Sequence, residues 1–280
     1  MSRKNKIRSL LLHTFLTVLA LVWLVPVFWL VLSSFRAEKG AYTSYLWPKS
    51  FTFDNYVRLF TDTKLFNFPR WFGNTLFVAC CSCLIVTVLT LMVAYVYSRL
   101  HFPSRKGLMN ICLVLGMFPG FMSMIAIYHI LKAVGLDQTI FALILVYSGG
   151  AALNYYIAKG FFDTIPRSLD EAATLDGATK NTIFWRIILP NSKPIVVNTA
   201  INAFIAPWVD FIFVSVIMKD NYNNYTVAKG LYTMVDKANI YQYYAVFCAG
   251  SVVVAVPIVL LFIRLQKYYV AGVTGGATKG

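Results

Sequence analysis

Six apolar runs, each about 19–25 residues long, restrict this chain to one kind of fold, because at 1.5 Å per residue that length crosses a hydrocarbon core of about 30 Å. They cover approximately 10–32, 74–97, 108–131, 139–157, 195–218 and 243–265. Inside lipid a backbone must satisfy its own hydrogen bonds, which leaves the helix as the form open to each run. The predicted fold class is therefore an all-α membrane protein with six transmembrane helices. Only 13% of the 280 residues are charged, against about a quarter in a soluble domain. Nearly all of them lie between the runs.

The N-terminal Arg3, Lys4, Lys6 and Arg8 before an apolar run also fit a secretory signal. That run is too long for a signal core of about 7–15 residues and no small-x-small cleavage site follows it, so a retained first span is expected. Placing the N-terminus inside puts 15 of the 25 Lys and Arg residues on the cytoplasmic side, the sign that the positive-inside rule requires. Both termini are then cytoplasmic, in a multi-pass protein surrounded by membrane lipid. The net charge of +14 is explained by this topology, and no nucleic-acid partner is expected.

The organisation predicted is a tail and first span (1–35), an external loop (36–71), a core of five spans (72–265) and a cytoplasmic tail (266–280). The core includes a charged loop at 159–194 and a Tyr- and Asn-rich external loop at 219–242. The five cysteines, Cys80, Cys81, Cys83, Cys112 and Cys248, all fall in apolar runs without His or carboxylate neighbours. They read as small buried hydrophobes, and neither a disulfide framework nor a metal site is expected.

The loop at 159–194 has its own physical logic. Pro166 ends the fourth span, and Ser168 and Glu171 stand as S-x-x-E, a capping box expected to start a short helix. Leu169, Ala172 and Ala173 are expected on one face, low enough to seat in a partner's cleft. Gly177, after Asp176, supplies the turn that ends the helix. Ile183, Phe184, Ile187 and Ile188 make an apolar stripe on a second helix, and Pro190 and Pro194 turn the chain into the fifth span. An amphipathic helix lying on the membrane fits the same pattern.

Glu171, Ala172, Ala173, Gly177, Ile187, Leu189 and Pro190 stand at the spacing E-A-A-x3-G-x9-I-x-L-P. In this the chain resembles permease subunits of binding-protein-dependent ABC importers, whose cytoplasmic coupling loop has that spacing. Phe53-Asp54-Asn55-Tyr56, Trp71-Phe72-Gly73-Asn74-Thr75-Leu76, and Ala94-Tyr95-Val96-Tyr97-Ser98-Arg99 with Phe102-Pro103 resemble segments flanking the second span in the carbohydrate branch. The tail Val273–Gly280 is similar to that of the smaller permease of maltose/maltodextrin transporters. The resemblance implies a bacterial cytoplasmic membrane protein forming half of a heterodimeric pore with a second homologous permease. It further implies two ABC ATPase subunits docked on the coupling loop (Ser168, Glu171, Ala172, Ala173, Asp176, Gly177, Ile187, Leu189, Pro190) and reached by the tail (Gly275, Gly276, Lys279). An extracellular sugar-binding protein would face Tyr225, Thr226, Lys229 and Gly230.

Asp210 is the only acidic residue within a run, and such residues are costly to desolvate. On a helical wheel it shares a sector with Asn198, Thr199 and Asn202, beside Pro207 and Trp208. This polar face (Asn198, Asn202, Trp208, Asp210) is either a candidate substrate path or a set of inter-helix hydrogen bonds. No phosphate-cradling G-x-x-x-x-G-K-[ST] loop, nucleophile elbow, H-E-x-x-H or paired-carboxylate site is present. The chain is therefore not expected to be an enzyme or to hold a cofactor, ATP and Mg2+ falling to the partner ATPases. The rival functions are a secondary transporter or channel needing no ATPase, a non-transporting membrane scaffold, and an ABC permease for another solute. Scarce intramembrane carboxylates and the lack of an inverted repeat argue against the first.

Overall fold

The computed structural model of the protein describes residues 3–41, 45–117, 119–150 and 152–275. Among them there is no strand, only an isolated antiparallel bridge between Arg36 and Phe51. The helices in chain order are α1 (Arg3–Ser34), α2 (Asp54–Thr61), α3 (Phe68–Arg99), α4 (Arg105–Met117), α5 (Gly120–Ala133), α6 (Ile140–Gly149) and α7 (Ala152–Asp163). There follow α8 (Ser168–Leu175), α9 (Lys180–Ile183), a π-turn (Phe184–Ile188), α10 (Leu189–Asn191), α11 (Lys193–Val209) and α12 (Ile212–Met218). A 3-10 turn (Tyr222–Asn224), α13 (Val227–Met234) and α14 (Ile240–Gly275) complete the chain.

Three of these helices, in α1, α3 and α14, are long and apolar enough to cross a bilayer alone, and three bent pairs raise the number to six if each pair is one span. The pairs are α4 with α5, α6 with α7, and α11 with α12. The breaks have causes in the sequence. Pro119, extended at φ −60° and ψ 118°, stands before α5 and has no N–H to continue α4. Gly150 follows α6. Between α11 and α12 the axis bends by 60°, where Asp210 leaves the helix with ψ 102°. The helical wheel that joined Asp210 to Asn198 and Asn202 therefore does not hold, because the helix stops at Val209.

The chain forms two compact units. The first joins 1–69 to 231–256. There Asn55, buried at the start of α2, donates from Nδ2 to the carbonyls of Ser34 (3.0 Å) and Arg36 (2.8 Å). The Ser34 oxygen belongs to the last turn of α1, whose carbonyls have no partner within the helix. Ser34 Oγ also meets the Tyr56 hydroxyl at 2.7 Å. Leu59 and Phe68 are fully buried in this unit, and a Cβ on Gly250 would lie 2.5 Å from Leu231 and 3.3 Å from Leu59. Only glycine allows that approach. Along α1, Leu10, Phe15 and Trp23 are 65–72% exposed, the all-round apolar surface of a helix meant for lipid or another subunit.

The second unit joins 70–230 to 257–280. Its axis is α3, whose buried Thr75, Val78, Ala79, Ser82, Val86, Thr90 and Ala94 line one side. Cys83 Sγ approaches the Ala200 carbonyl of α11 at 3.3 Å. All five cysteines are free thiols, but only Cys248 is buried as the sequence suggests; Cys80 is exposed and Cys81, Cys83 and Cys112 are half-buried. Among the described residues no group of His, Cys, Asp or Glu is placed to hold a metal ion.

Candidate functional site: the α8 elbow

α8 begins without the expected capping box. Arg167, in helical conformation, occupies the position before it, and no side chain caps the helix. Glu171 N–H bonds to the Arg167 carbonyl (3.0 Å), so the helical ladder starts one residue early and Ser168 lies inside the first turn. Its hydroxyl is then past the position from which it could accept from the third N–H. The other end is as the sequence reads. Gly177 has φ +79°, and Gly177 and Ala178 donate to the Thr174 and Ala173 carbonyls at 3.0 and 2.9 Å. Thr179 caps α9 through Oγ1, which accepts from Thr182 N–H at 3.2 Å.

The second helix of the elbow is not a plain α-helix. Over Phe184–Ile188 the ladder slips to i−5, with Leu189 N–H donating to the Phe184 carbonyl. Pro190, which follows, has no N–H to give. Asn191 Nδ2 and Ser192 Oγ donate to the Ile187 and Ile188 carbonyls, each at 2.7 Å, satisfying oxygens that the break exposes. Ile183, Phe184 and Ile188 are buried and Trp185 is 51% exposed.

The faces of α8 differ from expectation in one respect. Ala173 does not share an outward face with Leu169 and Ala172. It is buried in a cluster with Tyr95, Phe162, Ile165, Ile183 and Phe184. Adjacent positions on a helix are 100° apart, so when Ala173 turns inward Ala172 must turn out. The outward surface comprises Ser168, Leu169, Glu171, Ala172, Thr174, Leu175, Asp176 and Gly177. Leu175 is 90% exposed. Beside α8 a cavity of about 500 Å³ is lined by Arg99, His101, Arg167, Asp170, Glu171, Thr174, Leu175 and Lys180.

The elbow is clamped to the last turns of α3 by residues that the motif does not contain. Tyr95 Oη donates to the Lys180 carbonyl (3.0 Å), and Ser98 Oγ donates to Asp163 Oδ1 (2.7 Å). Arg99 Nη2 donates to the Ile165 carbonyl (2.9 Å), and its Nε lies 2.9 Å from Asp170 Oδ2. Lys159 pairs with the other Asp163 oxygen. A buried arginine closing an apolar helix was the available signal, since a guanidinium is left there only with partners.

At the opposite end of α3 a second constellation holds the segment after α12. Trp71 Nε1 donates to the Tyr222 carbonyl (2.7 Å), Arg70 Nε to Asn223 (2.9 Å), and Asn74 Nδ2 to Asn223 (2.8 Å) and Tyr225 (3.0 Å). Val227 N–H donates to Thr75 Oγ1 at 2.8 Å. Of the residues expected to face a binding protein, Tyr225 and Thr226 are buried. Tyr225 donates to the Lys219 carbonyl at 2.6 Å, and burial, with Tyr222 and Asp220 adding to it, pushes its phenol up to about 12. Lys229 lies over the Phe211 and Tyr225 rings, and Gly230 packs on Trp71. Tyr225, Thr226 and Gly230 thus lie within the platform and Lys229 is half-buried, while Tyr222, 54% exposed, and Asn223 are on its surface.

The polar face of the fifth span is largely occupied. Asp210 accepts from Phe213 N–H (2.9 Å) through Oδ1 and from the Tyr147 hydroxyl (2.9 Å) through Oδ2. Trp208 is buried against Phe72 and Phe204, so its ring faces protein in this conformation. Asn202 is exposed, with Asn198 at 3.4 Å. Gly275 ends α14; Gly276 and Lys279 lie outside the described residues.

Residues 86–275, from the middle of α3 through the elbow to the end of α14, match the family described as "Binding-protein-dependent transport system inner membrane component". The chain belongs to this family. Among its relatives, the galactooligosaccharide transport permease GanQ of Bacillus subtilis (strain 168) is 35% identical, covering 100% of this chain and 99% of that protein. The maltodextrin transport permease MdxG of the same organism is 34% identical over 100% and 99%. The maltose/maltodextrin permease MalG of Escherichia coli (strain K12) is 30% identical over 99% and 98%. The fold is shared with a bacterial ABC transporter involved in alginate import, at a TM-score of 0.79 and 22% identity over 96% of this chain and 99% of that one. As a member of this family the chain is a multi-pass transport permease. The loop with the E-A-A-x3-G-x9-I-x-L-P spacing is the α8 elbow, and it lies within the matched residues.

Proposed function

We propose that the chain is one of two homologous permease subunits of an ATP-driven importer for an oligosaccharide, with the maltodextrin class as the leading candidate. The elbow faces the cytosol, both termini are cytoplasmic, and two ATPase subunits that bind ATP and Mg2+ dock on α8 and receive the tail ending Gly275, Gly276 and Lys279. The chain itself hydrolyses nothing. An extracellular sugar-binding protein approaches the platform built on Tyr225, Thr226, Lys229 and Gly230. Full-length relatives that import oligosaccharides support the solute class.

The observation that carries the docking is the mounting of α8. Its inner side, through Ala173, is locked into this chain's own core, while Leu175 projects 90% exposed beside Glu171 and Asp176. An exposed leucine beside acidic groups, on a helix fixed from behind, is the form of an interface anchor. A helix lying on lipid would turn a continuous apolar face outward, and the polar residues flanking Leu175 break that face.

The test is assembly and transport with the partner subunits co-expressed. Glu171→Lys and Gly177→Trp should each cut ATPase copurification and maltodextrin uptake. Gly177 has a left-handed φ that a bulky residue resists. Normal assembly and uptake in both variants would overturn the assignment, and uptake by this chain alone, without ATP, would establish the secondary-transporter reading instead.

A further inference from the structure

The chain reaches α8 from either side through corners, Pro166 before it and Gly177 after it, and corners bend when pushed. A displacement of α8 passed along the backbone alone would be absorbed there. The side chains provide a shorter route. Arg99, at the last position of α3, is 4% exposed at its side chain and Asp170, in the first turn of α8, is 16% exposed; their Nε and Oδ2 atoms lie 2.9 Å apart. The charges suit their places, a cation at a helix C-terminus and an anion at a helix N-terminus. Arg99 also holds the Ile165 carbonyl before α8, and Tyr95, one turn back, holds the Lys180 carbonyl after it. The elbow is gripped on both sides, which opposes rocking about either corner.

What Arg99 ends is a single helix of 32 residues without an internal break. Packed helices move as rigid bodies, and at 1.5 Å per residue the distance from Arg99 to Trp71 is about 42 Å. At that far end Trp71 and Asn74 hold the carbonyls of Tyr222, Asn223 and Tyr225. Every link from Asp170 to Tyr222 is thus a direct contact or an unbroken helix.

We propose that the Arg99–Asp170 ion pair is a strut through which movement of α8 is carried along α3 to the Tyr222–Gly230 platform. This rests on the reading of α8 as an ATPase-docking helix. Arg99 and Asp170 act as positioning residues: they touch neither nucleotide nor solute, and they make the two ends of this subunit move together.

Hydrogen–deuterium exchange on the assembled transporter tests this without knowledge of the sugar. Nucleotide-free complexes are compared with complexes trapped by Mg-ATP and orthovanadate, at peptides covering 168–175 and 222–230. In the wild type, trapping should change exchange in both. In Arg99→Gln and Asp170→Asn, the 168–175 response should persist and the 222–230 response should shrink about tenfold, within the range of ordinary allosteric couplings. Recovery of the distant response in Arg99→Lys, or in the reversed pair Arg99→Asp with Asp170→Arg, supports the strut. An intact 222–230 response in the single variants overturns it, as does its absence in the wild type or its failure to recover in both rescue variants. Release of the ATPases by the single variants also overturns it, since the pair would then build the dock and not the linkage. A wild type that copurifies no ATPase and shows no response at 168–175 sinks the docking reading instead.

Discussion

The indole of Trp71 fills the space that a β-carbon on Gly230 would need: an ideal Cβ there falls 2.1 Å from Trp71 Cε3. Since Trp71 Nε1 also bonds the Tyr222 carbonyl at 2.7 Å, one ring holds both the 3-10 turn at Tyr222–Asn224 and α13.

Gly230→Ala should therefore destabilise the purified protein by about 1–3 kcal/mol, the usual cost of overpacking a filled site. Thermal denaturation in detergent measures it. In a Trp71→Leu background the same substitution should cost little more, because the obstructing ring is gone. Equal losses in both backgrounds would contradict this account of the contact.

Asn55→Leu should be among the more damaging single changes in the first unit. It keeps the branched outline of the side chain, with a little more bulk, but removes both Nδ2 hydrogen bonds to the Ser34 and Arg36 carbonyls, and losing a donor to a buried carbonyl costs about 1–3 kcal/mol. A melting temperature within error of wild type would show that water replaces the side chain.

Asp210 separates a structural role from a solute-binding one. Asparagine keeps an oxygen for Phe213 N–H and an amide for the Tyr147 hydroxyl, so Asp210→Asn should fold and transport near wild type. Asp210→Ala loses the cap, worth about 1 kcal/mol, along with the Tyr147 bond. Tyr147→Phe should add little to Asp210→Ala, as the cycle closes over a shared contact. If Asp210→Asn kept its stability but abolished uptake, the carboxylate would belong to the substrate path.

Leu175→Ala should leave this chain's own stability unchanged, because 90% of the residue is already exposed. Its effect should appear in ATPase affinity, at about 2 kcal/mol or roughly thirtyfold if it is a hot spot. Pull-down at graded ATPase concentration gives the number, and unchanged affinity would remove Leu175 from the interface.

The positions of the elbow and of the six apolar runs could be read from the sequence for different reasons. The runs are long enough to span lipid and too apolar for anything else. Gly177 announces its turn because the left-handed region belongs to glycine. Pro119, Gly149-Gly150 and Pro207 mark regions of weakness, but which of them become breaks was not visible. The sharp bend of the fifth span falls at Asp210, three residues beyond Pro207, where the carboxylate can cap the next helix. α2 and α13 were missed inside loops because an eight-residue helix draws its stability from tertiary packing and too little from propensity. Asn55 and Leu59, one turn apart and both buried, were the faint signal for α2.

Composition and spacing alone determined that this chain lives in lipid as helices and carries a short charged elbow with a family's spacing. Those are properties of local runs, set by transfer free energy and by the backbone demands of glycine and proline. Tertiary structure decided which face of that elbow turns inward, that Arg99 meets Asp170 from 71 positions away, and that Asp210 is already bonded. Such facts depend on which distant groups a fold brings within about 3 Å, and no local pattern contains that distance.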